Sequence, residues 1–352
     1  DVIHCNDWHV GLLPLYLKRH YGWDGLFRRT KTLLTIHNIG YQGIFSSSLL
    51  GDLDLAGHTD LLFQEDLHAG HFSFLKTGIL YADVLSTVSH TYSLEIQTAE
   101  YGMGLEGLLR ARRDSLVGIV NGVDTADWDP QTDPLLPHSF SADDLSGKVK
   151  NKQHLLDGLG LAFDERVPVF GIVSRLTAQK GLDLYFETLP ELLAWRQAKL
   201  VILGTGERRY EDFFHHLQHS FPGKVCFYRG YSEELAHLVE AGSDVFLMPS
   251  LYEPCGLNQM YSQLYGTPPI VRKTGGLADT VDHFHPTTGE GTGIVFEHFT
   301  TDGLRWALSV ALELWKDQGA WRRMMLNGMG RDFSWGAQGA KYVRLYRTMT
   351  GR

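Results

Sequence analysis

Five stretches of this chain carry side chains able to bind a charged, hydroxyl-rich ligand, and each follows a short apolar run. Arg175 and Lys180 stand in Ser174-Arg175-Leu176-Thr177-Ala178-Gln179-Lys180-Gly181. A planar guanidinium fork and a point-charge ammonium there could clamp a diphosphate, or form a solvated surface pair. Gly204-Thr205-Gly206 admits close approach of a ligand to the backbone, as many strand-to-helix turns do. Arg229-Gly230-Tyr231-Ser232 offers an aromatic face that could stack on a nucleobase or simply lie exposed in a loop. Pro249-Ser250-Leu251-Tyr252-Glu253-Pro254-Cys255-Gly256-Leu257 places a carboxylate in a glycine turn ahead of a helix. Glu253 could hydrogen-bond sugar hydroxyls beside an anion, or cap that helix. Lys273-Thr274-Gly275-Gly276 is either a phosphate-binding turn or a tight connection that needs glycine for space.

The elements that must position these turns follow from the pattern of apolar runs. Beyond residue 166, strands are expected at 169–173, 200–203, 225–228, 245–248 and 269–271. Helices are expected between them, at 181–195, 207–220, 233–241 and 257–266, with another opening at Gly275-Gly276. Short apolar strands alternating with helices imply a parallel, doubly wound α/β sheet, whose ligand site lies at the carboxyl ends of the strands. All five turns then share one edge. No Walker A sequence is present and no Gly-x-Gly-x-x-Gly opens this half, which disfavours a kinase or a nicotinamide dehydrogenase.

The first half is less regular. Strands are expected at 2–4, 32–36, 84–88 and 117–120, and helices at 10–18, 74–81 and after Ser89. Asp1-Val2-Ile3-His4 reads as the end of a strand, so the expectation is that an N-terminal portion of the first domain is missing. The chain of 352 residues suggests two domains, drawn as 1–162 and 163–335, with a final helical segment at 336–352. The net charge of −9 argues against wholesale nucleic-acid binding. No apolar run reaches the ~20 residues of a membrane span. Three scattered cysteines fit free thiols in a reducing compartment, and a cytoplasmic location is expected. Asp52, Asp54, Asp127, Asp129 and the histidine pairs at 215–216 and 283/285 form no convincing metal-ligand set, so neither metal nor cofactor is expected.

The ordered motifs closely resemble those of bacterial glycogen synthases and plant starch synthases. The second half contributes Val173-Ser174-Arg175-Leu176-Thr177-Ala178-Gln179-Lys180-Gly181, the Glu253 stretch and Arg272-Lys273-Thr274-Gly275-Gly276-Leu277-Ala278-Asp279-Thr280. The first half adds His4-Cys5-Asn6-Asp7-Trp8-His9, Thr35-Ile36-His37-Asn38-Ile39-Gly40-Tyr41-Gln42-Gly43 and Asn121-Gly122-Val123-Asp124. Asp332-Phe333-Ser334-Trp335 matches the C-terminal signature. Ser174-Arg175-Leu176-Thr177 and Gly147-Lys148-Val149-Lys150-Asn151-Lys152 look more like the bacterial branch.

The resemblance implies two Rossmann-like domains facing a cleft, the glycosyltransferase B-type fold, with a C-terminal helix packing back on the first domain. It implies retaining transfer of glucose from ADP-glucose, or UDP-glucose, to the non-reducing end of an α-1,4-glucan. On that resemblance Arg175 and Lys180 neutralise the departing diphosphate and Glu253 hydrogen-bonds the donor glucose. Backbone groups of Cys255, Gly256 and Leu257 lie beside it, Thr274 and Gly275 hold phosphate with Gly276 in the same turn, and Tyr231 stacks on the base. His9 and Asn121 reach the glucosyl unit. Family members open with a Lys-x-Gly-Gly-Leu motif that nothing before Asp1 supplies, and Asn6 stands where they usually show His. Other retaining glycosyltransferases carry a second Glu eight residues after the first; here that position is Tyr261. The competing readings are a non-catalytic glucan-binding remnant and another nucleotide-sugar enzyme of the same fold.

Overall fold

The computed structural model describes residues 1–352 and divides into two compact units, residues 1–121 with 338–352, and residues 122–337. In the first unit β1 (Val2–Asn6), β2 (Lys31–Ile36), β5 (Val84–Thr87) and β6 (Leu116–Gly118) form a parallel sheet in the order β1-β2-β5-β6. A two-stranded antiparallel ribbon, β3 (Ile44–Ser46) with β4 (His71–Ser73), leads into α1 (Phe74–Tyr81). The hydroxyl of Ser73 caps α1 by accepting the Lys76 N–H, and Ser89 caps α2 (His90–Glu95) through the Tyr92 N–H. The expected helix at 10–18 is instead three short segments, 3₁₀ at Trp8–Val10, α at Leu13–Leu15 and π at Tyr16–His20. Pro14 lies in the first turn of the α segment, where its missing N–H costs nothing, and so starts a new segment after the 3₁₀ turn.

The second unit is built on six strands, all parallel, in the order β12-β11-β10-β7-β8-β9. They are β7 (Val169–Leu176), β8 (Lys199–Gly206), β9 (Val225–Arg229), β10 (Val245–Met248), β11 (Pro269–Arg272) and β12 (Ile294–Phe296). Alternate residues enter two cores. Phe170, Ile172, Leu200, Ile202, Val245 and Leu247 join one cluster; Val169, Val201, Phe246 and Met248 join the other. Burial on both faces explains the near-continuous apolar runs. The helices are α3 (Ser146–Gly158), α4 (Tyr185–Trp195), α5 (Arg208–Ser220), α6 (Glu233–Gly242), α7 (Asn258–Leu264), α8 (Gly275–Thr280), α9 (Thr301–Lys316) and α10 (Gln318–Met329). A last helix, α11 (Trp335–Thr350), contributes its residues from Gln338 onward to the first unit, where the Tyr346 hydroxyl lies 2.8 Å from His4 Nδ1.

The boundary drawn at 162 moves to 121, because residues 122–162 are fastened to the second unit by buried cations. Lys148 on α3 donates to the Ala241 carbonyl (3.0 Å), the Tyr265 carbonyl (2.9 Å) and the Thr267 hydroxyl (2.6 Å). Lys152 pairs with Asp244 at 2.8 Å, and Asp244 in turn accepts the Val169 N–H at 2.8 Å. These lysines sit in what reads as a charged helix, so their burial was not apparent from composition.

Candidate functional site

The parallel register puts the polar turns of the second unit at the carboxyl ends of adjacent strands. Arg175 is the exposed second-last residue of β7, aligned with Thr205 of β8. The chain then bends through a 3₁₀ turn, Ala178–Lys180, into Gly181, which has φ +72°. A Cβ at Gly181 would stand 2.0 Å from the Pro249 carbonyl oxygen, so only glycine lets this turn approach the one after β10. The two turns are joined further by the Leu251 N–H donating to the Gln179 carbonyl at 2.9 Å.

That contact sets Lys180 on Glu253. Lys180 Nζ lies 2.7 Å from Glu253 Oε2, and the Ser250 hydroxyl donates to the same oxygen at 3.0 Å. Glu253 is only 5% exposed, so its charge is held by these two donors rather than by bulk water. The helix-capping alternative fails: Leu257 is the N-cap of α7, with no side-chain cap bond. The Glu253 loop is gripped from the other side by the glycine pair that opens α8. A Cβ at Gly275 (φ +44°) would stand 1.9 Å from the Glu253 carbonyl oxygen, and one at Gly276 would stand 2.0 Å from that of Cys255. The Gly276 N–H donates to the Glu253 carbonyl at 3.0 Å, so Gly276 supports the loop.

Gly204, Thr205 and Gly206 lie within β8, not in a turn beyond it. Added Cβ atoms at 204 and 206 would stand 2.2 and 2.3 Å from the Ser174 and Leu176 carbonyl oxygens, so tight pairing with β7 accounts for both glycines. The Thr205 hydroxyl and Gly206 N–H both donate to Glu211 Oε1, at 2.7 and 3.0 Å. The Gly206 N–H and then the Thr205 hydroxyl hold the Glu211 carboxyl below its ordinary pKa, with Arg229 assisting. Tyr231 is 72% exposed beyond β9, as a stacking platform requires.

The sequence reading missed several supports of this site. Arg272, at the end of β11, is buried and donates to the Leu251 carbonyl. Asn258 Nδ2 donates to the Val173 carbonyl at 2.7 Å, joining α7 to β7. Gln259 Nε2 donates to the carbonyls of Cys255 (3.1 Å) and Gly256 (3.0 Å), holding the left-handed Gly256 turn. Tyr261 is stacked on Trp128 with centroids 3.7 Å apart and planes 4° from parallel, and Trp128 stacks on His237 at 3.7 Å on another contact. Burial, then the neighbouring Glu240 and Cys255, pushes the Tyr261 phenol up to about 12. Arg272 and Ser250 lie inside quoted motifs, whereas nothing in the spacing of Trp128 points to residue 261.

His9 and Asn121 belong to the first unit. His9 is exposed and stacks on Trp8, with centroids 3.9 Å apart. The preceding Asp7 has φ +59°, a conformation costly for a non-glycine residue, and its carboxylate accepts the His37 N–H at 2.8 Å. Asn121 is partly exposed beyond β6.

Comparison with known proteins places the chain in a family. A family model described as the starch synthase catalytic domain matches residues 1–111, and one for glycosyl transferases group 1 matches residues 160–324. A glycogen synthase of Koribacter versatilis is 47% identical over 346 residues, covering 98% of this chain and 71% of that protein. The chain belongs to the glycogen and starch synthase family. Another glycogen synthase, from Desulforudis audaxviator, is 47% identical over 349 residues, covering 99% of this chain and 69% of that protein. The solved catalytic domain of starch synthase IV from Arabidopsis thaliana, bound to ADP and acarbose, superposes with a TM-score of 0.91 at 35% identity. The match covers 100% of this chain and 73% of that one. The glycogen and starch synthase family therefore supplies the fold, glycosyltransferase B-type, and the enzyme class, hexosyltransferase. No helix is long and apolar enough to cross a membrane.

Proposed function

We propose that this chain transfers glucose from ADP-glucose to the non-reducing end of an α-1,4-glucan, retaining the anomeric configuration. The observation that carries the reading is the Lys180–Glu253 pair, which joins the carboxyl ends of adjacent strands β7 and β10 where β7 also ends with Arg175, in a chain of this family. Departure of the diphosphate concentrates negative charge on its oxygens. Fixed cations that need not reorganise stabilise that charge more in the transition state than in the bound donor. Arg175 and Lys180 are the cations, and Glu253 accepts hydrogen bonds from the donor glucose. Thr274 and Gly275 take phosphate oxygens, and Tyr231 stacks on the base. We assign His9 and Asn121 to the glucosyl unit. The ADP held by the Arabidopsis starch synthase supports the adenine nucleotide as donor.

The reaction proceeds by same-face attack. The acceptor O4 bonds to the anomeric carbon as the bond to the diphosphate breaks, and the acceptor proton passes to a leaving phosphate oxygen. The products are ADP and a glucan one unit longer. A double displacement would instead need a free carboxylate nucleophile and an opposed partner. Glu253 is buried against Lys180 and Ser250, and position 261 is a stacked tyrosine. Mass spectrometry of enzyme quenched during turnover tests this: no glucosyl adduct is expected, and one on Glu253 would overturn the mechanism.

A further inference from the structure

A groove of about 670 Å³ opens at the β12 edge of the second unit, in the size range of ligand pockets, about 300–1,000 Å³. Lys273, Asp282, His283, Glu297 and Trp306 contribute to its lining. Trp306, on α9, is a large aromatic residue left 48% exposed. His283 stacks against it with centroids 5.7 Å apart and planes 25° from parallel. The imidazole is fixed in turn, because His283 Nδ1 accepts the Val295 N–H at 3.1 Å. Burial and then the adjacent His285 hold its pKa below the ordinary value. The indole is thus held in place as a platform.

The formal charges of the groove are balanced within it, with His283 and His298 as its imidazoles, and so do not favour an anion as its occupant. Lys273 pairs with Glu297 at 2.8 Å, and Asp282 pairs with Arg331 at 2.8 Å. Both pairs are solvent-accessible and neither leaves a surplus cation. A neutral polyol matches what is offered: carboxylate acceptors and an ammonium donor for hydroxyls, and an indole for the apolar C–H face of a pyranose ring. The groove also adjoins the proposed donor turn, since Lys273 is the residue before Thr274.

We propose that the Trp306 groove is a second binding site for an α-1,4-glucan chain, anchoring the polymer on the unit that carries the donor turns. The proposal rests on an α-glucan being the acceptor. It supplies what a polymer-extending enzyme uses, a hold on the chain that does not depend on the reacting end.

The test is an NMR titration of the full chain, labelled at tryptophan indoles, with maltoheptaose in the absence of nucleotide. The Trp306 indole signal is identified by its disappearance in Trp306→Phe. It is expected to shift on titration, and Trp306→Ala should raise the KM for glycogen roughly threefold to tenfold, the size of one aromatic contact. ADP affinity should stay at the wild-type value. An unmoved Trp306 signal would overturn the proposal, as would an equal shift with cellohexaose, a β-linked chain. Failure of glucose transfer with the Trp306 shift intact would count against the proposed function and leave the groove standing.

Discussion

Lys180 Nζ lies 2.7 Å from Glu253 Oε2, joining the turn after β7 to the turn after β10 across 73 residues of chain. The donor-side cation and the carboxylate are therefore one unit. Lys180→Ala removes a partner from a carboxylate that is 5% exposed. It is expected to cost about 1–3 kcal/mol of stability, since Ser250 still serves the carboxylate, and, separately, on the order of 10²-fold in kcat. In a double-mutant cycle with Glu253→Gln the losses should be strongly non-additive, since either change breaks the same pair. Denaturant unfolding and steady-state kinetics read the two effects apart.

Gly181→Ala tests the contact that brings those turns together. Its φ of +72° and the 2.0 Å approach of an added Cβ to the Pro249 carbonyl leave no local way to relieve the clash. A loss of roughly 2 kcal/mol or more is expected, with KM for the donor rising as the turn is displaced. Gly158→Ala, where an added Cβ meets nothing, is the control and should be close to neutral.

Trp128→Ala removes the ring on which Tyr261 and His237 stack. The loss should be about 3 kcal/mol by chemical denaturation. Trp128→Phe should recover part of it, since an aromatic face is retained.

Asp83 gives a pH signature in the first unit. Burial opposes its ionisation, but the Thr32 N–H, the Lys18 ammonium and the Thr32 hydroxyl outweigh it and hold the carboxyl below its ordinary value of 3.8. The folded state therefore binds this proton less readily than the unfolded chain. The contribution is present above the unfolded pKa and is lost as pH falls through the lower folded value. Asp83→Asn should destabilise by about 1–2 kcal/mol near neutral pH, with the gap to wild type closing in acid below that range. A gap that stays constant into acid would contradict the assignment.

The sheet of the second unit was legible because most of its strands are short apolar runs, and the interior ones are buried on both faces. Residues 245–248 and 74–81 form the expected strand and helix at the expected limits. β12, three residues long, and the β3–β4 ribbon escaped notice because such short strands carry almost no periodic signal. The domain boundary escaped because Lys148 and Lys152 look like surface charge and are in fact buried staples. At the site, the charged residues could be named from their motifs. Their pairing could not, because Lys180 meets Glu253 only through the Gly181–Pro249 approach. The glycines of β8 are ambiguous for a related reason, since tight strand pairing and ligand approach both call for a missing side chain.

The most direct measurement is transfer of labelled glucose to glycogen from ADP-glucose and, in parallel, UDP-glucose, by wild type, Arg175→Ala and Glu253→Gln. The account predicts incorporation that favours ADP-glucose and falls on the order of 10²-fold or more in each variant. Incorporation from neither donor, or an unchanged rate in Glu253→Gln, would contradict it.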